Sequence, residues 1–161
     1  MRSPLDVLAA EPGAQVFPLF VHAHPDDETL DTGALLAWLT AQHVHVELVT
    51  CTRGERGEIV EGVLPANIAQ ADLVRVRQRE LARALGVLGV PDHDFLGTPP
   101  ARAADLQPRE YRDSGMRWVR EGLAGPAGLT DPQTLTAAPL DELVADLMVL
   151  IERVQPTVLV G

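Results

Sequence analysis

Residues 16–28 read VFPLFVHAHPDDE and join an apolar run to a cluster of ionisable side chains. The run Val16–Val21 is short and apolar, which predicts a buried strand, and Pro18 is tolerated because it lies near the strand's start. The cluster His24–Glu28 follows directly. Ligand sites of parallel α/β sheets lie just beyond the carboxyl ends of strands, so this stretch places candidate chemistry at such an edge.

The next segment predicts a helix and a second strand. Apolar residues recur at helical spacing from Thr29 to Gln42, and the acidic residues around its first turn suit the positive end of a helix dipole. Residues 43–52 alternate and then become apolar, which predicts the second strand. A strand, a helix and a strand in this order form a right-handed βαβ unit with parallel strands.

The remainder of the chain continues this alternation, with a polar loop over residues 53–70 and a long irregular stretch over 97–139. The predicted elements are helices over 71–88 and 140–154, strands over 94–96 and 157–160, and a helical piece around 116–123. The pattern predicts an α/β fold: a Rossmann-like, doubly wound, mostly parallel sheet in three αβα layers. We expect a single domain over residues 1–161.

The last predicted strand ends next to the final residue, Gly161. In a parallel sheet, the loop after such a strand would carry chemistry. We therefore expect the chain to be the N-terminal part of a longer protein, truncated on its C-terminal side. A missing half would leave a sheet edge and an apolar face uncovered, which predicts a homo-oligomer or association with the missing C-terminal part.

Composition argues against several classes of function. The chain carries 13 basic and 23 acidic side chains, a formal net charge of −10, and every basic residue is arginine. No basic surface could cover a phosphate backbone, so we expect no nucleic-acid partner. No apolar run could cross a bilayer and residues 1–15 lack a secretory pattern, so we expect a cytoplasmic protein without a membrane partner. The single Cys51 excludes a disulfide framework and a multi-cysteine zinc site.

The segment His24–Asp27 carries one imidazole and two carboxylates within four residues. Zinc accepts both kinds of ligand, and a catalytic zinc typically has three protein ligands and a water. A carboxylate beside the metal can take the proton from that water. The alternative is structural, because aspartates are common at helix starts. Two ligands alone leave both interpretations open.

Four blocks of the sequence resemble one known family, the PIG-L/LmbE family of zinc-dependent N-acetylglucosamine deacetylases. Residues 23–28, AHPDDE, are similar to the family's signature at the end of its first strand. The other blocks, in the family's order, are VTCTRGERGE at 49–58, RQREL at 77–81 and YRDSGM at 111–116. The last block is typical of members that act on the glucosaminyl-inositol precursor of mycothiol. The resemblance covers about residues 16–161.

The resemblance implies roles for six residues. His24 and Asp27 would bind one Zn²⁺ per subunit, with Fe²⁺ as the alternative metal, and Asp26 would be the catalytic general base. The residues that would bind the sugar and inositol are Glu58, Arg77 and Asp113. The family's third zinc ligand is a histidine after the fourth strand, and the sequence ends before that position.

The implied activity is removal of the N-acetyl group from an N-acetylglucosaminyl substrate, with release of acetate. The favoured substrate, and hence the small-molecule partner, is the glucosaminyl-inositol precursor of mycothiol. Alternatives within the enzyme class are a mycothiol S-conjugate amidase and a deacetylase for another glucosaminyl compound. A non-catalytic fragment that lacks the third zinc ligand is the alternative from a different class. A nucleotide-binding Rossmann domain is disfavoured, because HPDD stands where a GxGxxG turn would be.

Overall fold

The fold is given by a computed structural model that describes residues 5, 8–9, 14–57, 59–65, 67–127 and 131–161. Its main sheet has four strands: β1 (Pro18–His22), β2 (Glu47–Thr50), β3 (Asp92–Phe95) and β6 (Val158–Val160). The helices are α1 (Asp27–Leu30), α2 (Gly33–Ala41), α3 (Gln70–Leu88) and α4 (Leu140–Val154), with a 3₁₀ turn at Leu135–Ala137. A separate hairpin consists of β4 (Met116–Arg120) and β5 (Leu123–Pro126).

All four strands of the main sheet run parallel, in the order β3-β2-β1-β6. The chain steps outward from β1 to β3 and then returns across the sheet to place β6 on the other side of β1. The register aligns Phe20 with Leu48 on one neighbour and with Val160 on the other. Because the winding direction reverses beside β1, the carboxyl end of β1 lies at the topological switch point, where open α/β sheets bind their ligands.

Two apolar clusters cover the two faces of the sheet. On one face Phe20 and Leu48 pack with Leu36 and Leu39 of α2 and with Leu81 of α3. The cluster on the other face contains Leu19, Val49, Cys51, Leu96, Ala101, Tyr111 and, from α4, Leu150. Successive residues of the two inner strands therefore point into different clusters, which is why Leu19–Val21 and Leu48–Val49 are continuous apolar runs rather than alternating ones. The predicted three-layer, doubly wound parallel sheet is confirmed.

The helix predicted over residues 29–42 is two helices in the structure. Helix α1 ends at Leu30, and α2 begins at Gly33 after a break at Asp31 and Thr32. The Thr32 hydroxyl donates to the backbone oxygen of Glu28 at 3.2 Å and lies 2.9 Å from His22 Nε2. The break therefore turns a threonine side chain onto the end of β1, a tertiary contact that helical periodicity does not contain.

The helical piece predicted around 116–123 is wrong, because this segment is half of the β4–β5 hairpin. Trp118 pairs with Ala124 and Arg117 with Gly125, in an antiparallel register. All five residues of β4 are exposed, so neither face of the strand imposes the apolar alternation that marks a strand in sequence. Gly122, at a φ of 72°, supplies the left-handed residue of the turn.

The remaining predicted elements are confirmed with small shifts of their ends. Helices α3 and α4 match the predicted 71–88 and 140–154 within one residue. Strands β2 and β6 are shorter than predicted, β1 ends at His22, and β3 begins at Asp92 instead of Asp94. Within the described residues no helix has the length and apolarity to span a membrane. The single-domain assignment stays a prediction.

Candidate active site at the carboxyl end of β1

The turn after β1 is built around a left-handed residue. Asp26 has a φ of 105° and a ψ of −27°, a conformation that non-glycine residues rarely adopt. Its backbone oxygen accepts hydrogen bonds from the N–H groups of Thr29 and Leu30, both at 2.9 Å, which start α1. The turn separates two neighbouring carboxylates: Asp27 lies toward His24, whereas Asp26 lies toward Arg77.

His24 is held between two carboxylates. Its Nδ1 atom lies 3.7 Å from Oδ2 of Asp27, and its Nε2 atom lies 3.3 Å from Oδ1 of Asp113. The same Asp27 oxygen accepts the His24 backbone N–H at 2.8 Å. The hydrogen bond to Asp113 raises the pKa of His24 above its ordinary value, burial opposes the rise, and the charges of Asp113, Asp27 and Asp26 add to it.

Asp26 faces an arginine from α3. Nη1 of Arg77 lies 3.3 Å from Oδ2 of Asp26, whose side chain is 49% exposed. Burial raises the pKa of Asp26 above its ordinary value, the charge of Arg77 opposes the rise, and Asp27 and Glu28 add to it. A carboxylate that remains open to solvent beside a cation can accept a proton from a molecule bound next to it.

Two glycines leave room for the Arg77 side chain. A Cβ on Gly57 would lie 2.8 Å from Nη2 of Arg77, and one on Gly54 would lie 3.7 Å from its Cγ. Gly54 also has a φ of 68° and would contact Pro25 at 3.3 Å. The loop after β2 therefore fits closely around the guanidinium, which explains the role of the glycines in this block.

Asp113 reaches the site from the long connection between β3 and α4. It is 5% exposed, its Oδ1 accepts the N–H of Gly115 at 2.7 Å, and its own N–H donates to Oε2 of Glu55 at 3.0 Å. Burial would raise the pKa of Asp113, but the hydrogen bonds from His24 and from the Gly115 N–H hold it below its ordinary value. Asp113 is therefore a charged group committed to contacts within the protein.

A buried polar network lies behind Asp113. Asp146 of α4 is fully buried, and its Oδ2 accepts hydrogen bonds from the Tyr111 hydroxyl at 2.7 Å and from Nη1 of Arg102 at 2.8 Å. Its Oδ1 accepts the Ala103 N–H at 2.9 Å. Sequence reasoning missed this network, although Asp146 is a carboxylate on the apolar face of a predicted helix, between Leu143 and Leu150, and that position was the available signal.

An open cavity of about 810 Å³ lies beside the turn after β1. Of the residues singled out in the sequence, it is lined by His24, Asp26, Arg77 and Asp113. Its outer wall includes Met116 and Trp118 of the hairpin, and Trp118 is 66% exposed. Asp27 lies behind His24 and does not line the cavity. Glu58 lies outside the described residues.

The turn after β1 brings together two donors of the kinds that zinc binds. His24 Nδ1 and Asp27 Oδ2 are a nitrogen and an oxygen of the kinds that zinc binds, 3.7 Å apart, and Asp113 on Nε2 leaves Nδ1 as the nitrogen free for a metal. Over the residues that the structure describes, no group of three or more histidine, cysteine, aspartate or glutamate side chains could hold a metal ion. His24 and Asp27 therefore fit as two of the ligands.

These features describe a parallel α/β fold with an imidazole and two carboxylates at its switch point, beside a cavity large enough for a small molecule. Comparison with known families identifies the class. Residues 19–161 match the family described as PIG-L, GlcNAc-PI de-N-acetylase, and the chain belongs to this family.

Individual proteins with related sequences match most of this chain. A protein of Thermobispora bispora named 1D-myo-inositol 2-acetamido-2-deoxy-alpha-D-glucopyranoside deacetylase is 45% identical over 144 residues, which cover 88% of this chain and 42% of the relative. A protein of the same name from Kribbella flavida is 45% identical over 145 residues, which cover 88% of this chain and 45% of the relative. The chain thus spans less than half the length of these relatives. The solved N,N'-diacetylchitobiose deacetylase of Pyrococcus horikoshii overlaps 61% of this chain and 30% of its own, at 24% identity and a TM-score of 0.46.

Proposed function

We propose that this chain carries the first part of the active site of a metal-dependent amide hydrolase that removes the N-acetyl group from an N-acetylglucosaminyl-inositol. The observation that carries the proposal is the turn after β1, where His24 and Asp27 lie against each other while Asp26 turns toward Arg77. Membership of the PIG-L family and the names of the relatives support the reaction and the substrate.

His24 and Asp27 would hold the metal, with Zn²⁺ as the first choice and Fe²⁺ as the second. When bound, such a cation polarises the amide carbonyl and acidifies water. A third protein ligand would complete the site, and it would come from outside the residues that the structure describes. Asp113 would orient the His24 ring, since a carboxylate on the second ring nitrogen fixes the tautomer that presents the first.

Asp26 would transfer the protons of the reaction. Its carboxylate would take a proton from the water that attacks the amide carbon and would return a proton to the departing nitrogen as the carbon–nitrogen bond breaks. The products are acetate and a free amino sugar. Arg77, at 3.3 Å from Asp26, would keep the carboxylate ionised at neutral pH, because its charge opposes the effect of burial on the pKa of Asp26.

The cavity would hold the substrate between the turn and the hairpin. Arg77 lines it and can donate to sugar hydroxyls, while Asp113 lies at its floor. Glu58 enters this proposal from the family resemblance alone. Met116 and Trp118 at the outer wall give the far end of the cavity an apolar surface on which a ring could pack.

The test is a deacetylation assay with the full-length protein and acetylated glucosaminyl-inositol. We expect release of acetate and a primary amine in equal amounts, and loss of this activity in Asp26→Ala. Leu30→Ala is a matched control, because that side chain is 77% exposed on the next helical turn. Normal turnover by Asp26→Ala would disprove the role of Asp26, and no turnover by the wild type would remove the proposal.

Two alternatives have their own readouts. Faster hydrolysis of a mycothiol S-conjugate than of the acetylated glucosaminyl-inositol would make the protein an amidase. The non-catalytic alternative is favoured by one observation, that the described residues supply only two ligands. Metal analysis after dialysis separates it, because a completed site retains stoichiometric metal. Light scattering tests the predicted self-association. The proposed partner is a small amino sugar, and its binding does not require an oligomer.

A further inference from the structure

The buried side chain at the start of α1 has no part in the chemistry proposed above. Glu28 is 1% exposed, although a lone carboxylate is costly to bury. Its Oε2 accepts the backbone N–H of Asp26 at 2.9 Å, and its Oε1 accepts the Thr29 hydroxyl at 2.6 Å. Both carboxylate oxygens of Glu28 therefore have partners in the same turn. One of these partners is the N–H of Asp26, the residue with the left-handed backbone.

The contact matters because the conformation of Asp26 is costly. A non-glycine residue at a φ of 105° persists only where its surroundings impose that conformation, and such residues cluster at functional sites. Three hydrogen bonds restrain the Asp26 backbone here. The N–H groups of Thr29 and Leu30 fix its carbonyl oxygen, and Glu28 fixes its N–H.

We propose that Glu28 is a positioning residue, which holds the Asp26 backbone in its left-handed conformation and thereby directs the Asp26 carboxylate into the cavity. An extended or helical backbone at Asp26 would swing its carboxylate away from Arg77 and change its relation to Asp27. This role of Glu28 depends on whether its side chain is long enough to reach the Asp26 N–H, and the negative charge of Glu28 is of secondary importance. This inference rests on the proposed function, because Asp26 is the general base there.

Two substitutions separate reach from charge. Glu28→Gln keeps the length, and its amide group can still accept the Asp26 N–H while donating to the Thr29 hydroxyl. Glu28→Asp keeps the charge, but it is one methylene shorter and cannot reach the same N–H. We expect Glu28→Gln to retain most of the wild-type kcat, and Glu28→Asp to lose about 100-fold in kcat with little change in KM, as for a small misplacement of a catalytic group.

A direct readout accompanies the kinetics. Amide hydrogen exchange, followed by NMR at the Asp26 N–H, should show protection in the wild type and in Glu28→Gln, and faster exchange in Glu28→Asp. A purely structural role would lower Tm and leave the kcat of the folded protein unchanged. Val87→Ala, at a side chain that is 88% exposed on α3, should leave both readouts as in the wild type.

The outcomes are distinct. Full turnover by Glu28→Asp, or an equal loss in both variants, overturns the inference. An unprotected Asp26 amide in the wild type also overturns it, even if Glu28→Asp fails to fold. If the wild type does not hydrolyse the substrate, the proposed function fails, while the exchange measurement still decides whether Glu28 holds the Asp26 backbone.

Discussion

The Nε2 atom of His24 lies 3.3 Å from Oδ1 of Asp113, although the two residues are far apart in the chain. The family resemblance implies that Asp113 binds the sugar, whereas its contacts with His24 and with the Gly115 N–H lead us to predict that it supports the imidazole. We expect Asp113→Ala to weaken zinc binding by roughly 10- to 100-fold, the usual effect of removing a carboxylate behind a ligating histidine.

Competition with a zinc chelator checks this prediction. Asp113→Asn is the matched variant, since its amide oxygen can still accept from Nε2–H, and it should lose less affinity than Asp113→Ala. If Asp113→Ala instead binds zinc like the wild type and only raises KM, Asp113 contacts the substrate and does not support His24.

Gly57→Ala should disturb the site without unfolding the protein. The new Cβ would lie 2.8 Å from Nη2 of Arg77, and the guanidinium is the end of a flexible side chain that can move aside. Arg77 would then leave Asp26, so we expect kcat/KM to fall by at least about 10-fold while the free energy of unfolding changes by less than about 0.5 kcal/mol.

Gly86→Ala is the control for that experiment. A Cβ on Gly86 meets nothing within 4 Å, and the residue lies inside α3. Exchanging glycine for alanine inside a helix stabilises it by roughly 0.5–1 kcal/mol, so Tm should rise with activity unchanged. Equal activity of the two variants would show that the fit of Gly57 around Arg77 has no role in turnover.

Asp146→Ala should be among the most destabilising single changes. It removes the carboxylate that accepts from Tyr111 and Arg102. The Arg102 side chain, which is 5% exposed, would keep its charge buried beside Glu142. We expect a loss of about 3–5 kcal/mol in the free energy of unfolding, measured by urea denaturation. Glu152→Ala, an exposed carboxylate on the same helix, should change it by less than about 0.5 kcal/mol. Comparable losses in both variants would contradict the importance of the network.

Cys51 gives a prediction for alkaline pH. Burial raises the pKa of its thiol from 9.0 to about 11, and the charge of Asp27 adds to the rise. The folded state thus holds the proton more tightly than the unfolded state. The contribution to stability is complete below pH 9 and is lost as the pH rises through 11; its size is on the order of 2 kcal/mol, since each pKa unit corresponds to about 1.4 kcal/mol.

Measuring the free energy of unfolding at pH 8 and at pH 10.5 checks this prediction. Cys51→Ala should lack the part of the pH-dependent loss that comes from the thiol. The thiol should also react slowly with iodoacetamide at pH 8, because the thiolate is the reactive form. Rapid labelling of the folded protein would mean that the thiol is not buried as the structure has it.

The sequence predicts the sheet and its helices because their patterns come from burial. Runs such as Phe20–Val21 and the helical spacing in α4 reflect contacts with the core. It does not predict the break at Thr32, which depends on a contact with His22, or the hairpin, whose strand β4 is exposed along its whole length.

The candidate site divides in the same way. The turn at His24–Asp27 is a local sequence feature and could be identified from the residues. The approach of Asp113 to His24 depends on how the long connection folds back, and the φ of Asp26 depends on Glu28. The first is a contact between distant parts of the chain, and the second is a local hydrogen bond that helical periodicity does not indicate. The roles of the individual residues, the cytoplasmic location and the oligomeric state stay predictions.

The connection that carries Asp113 is tied to α4 by the bonds of Asp146, whereas the turn at His24 grows out of the central strand. The two halves of the constellation thus belong to parts of the molecule that can open separately. Warming should loosen the exposed strand Met116–Arg120 of this connection while the buried Tyr111 and the parallel strands remain in place. Heat inactivation should then precede the loss of far-UV ellipticity, and a brief heat pulse followed by cooling should restore turnover without passage through the unfolded chain.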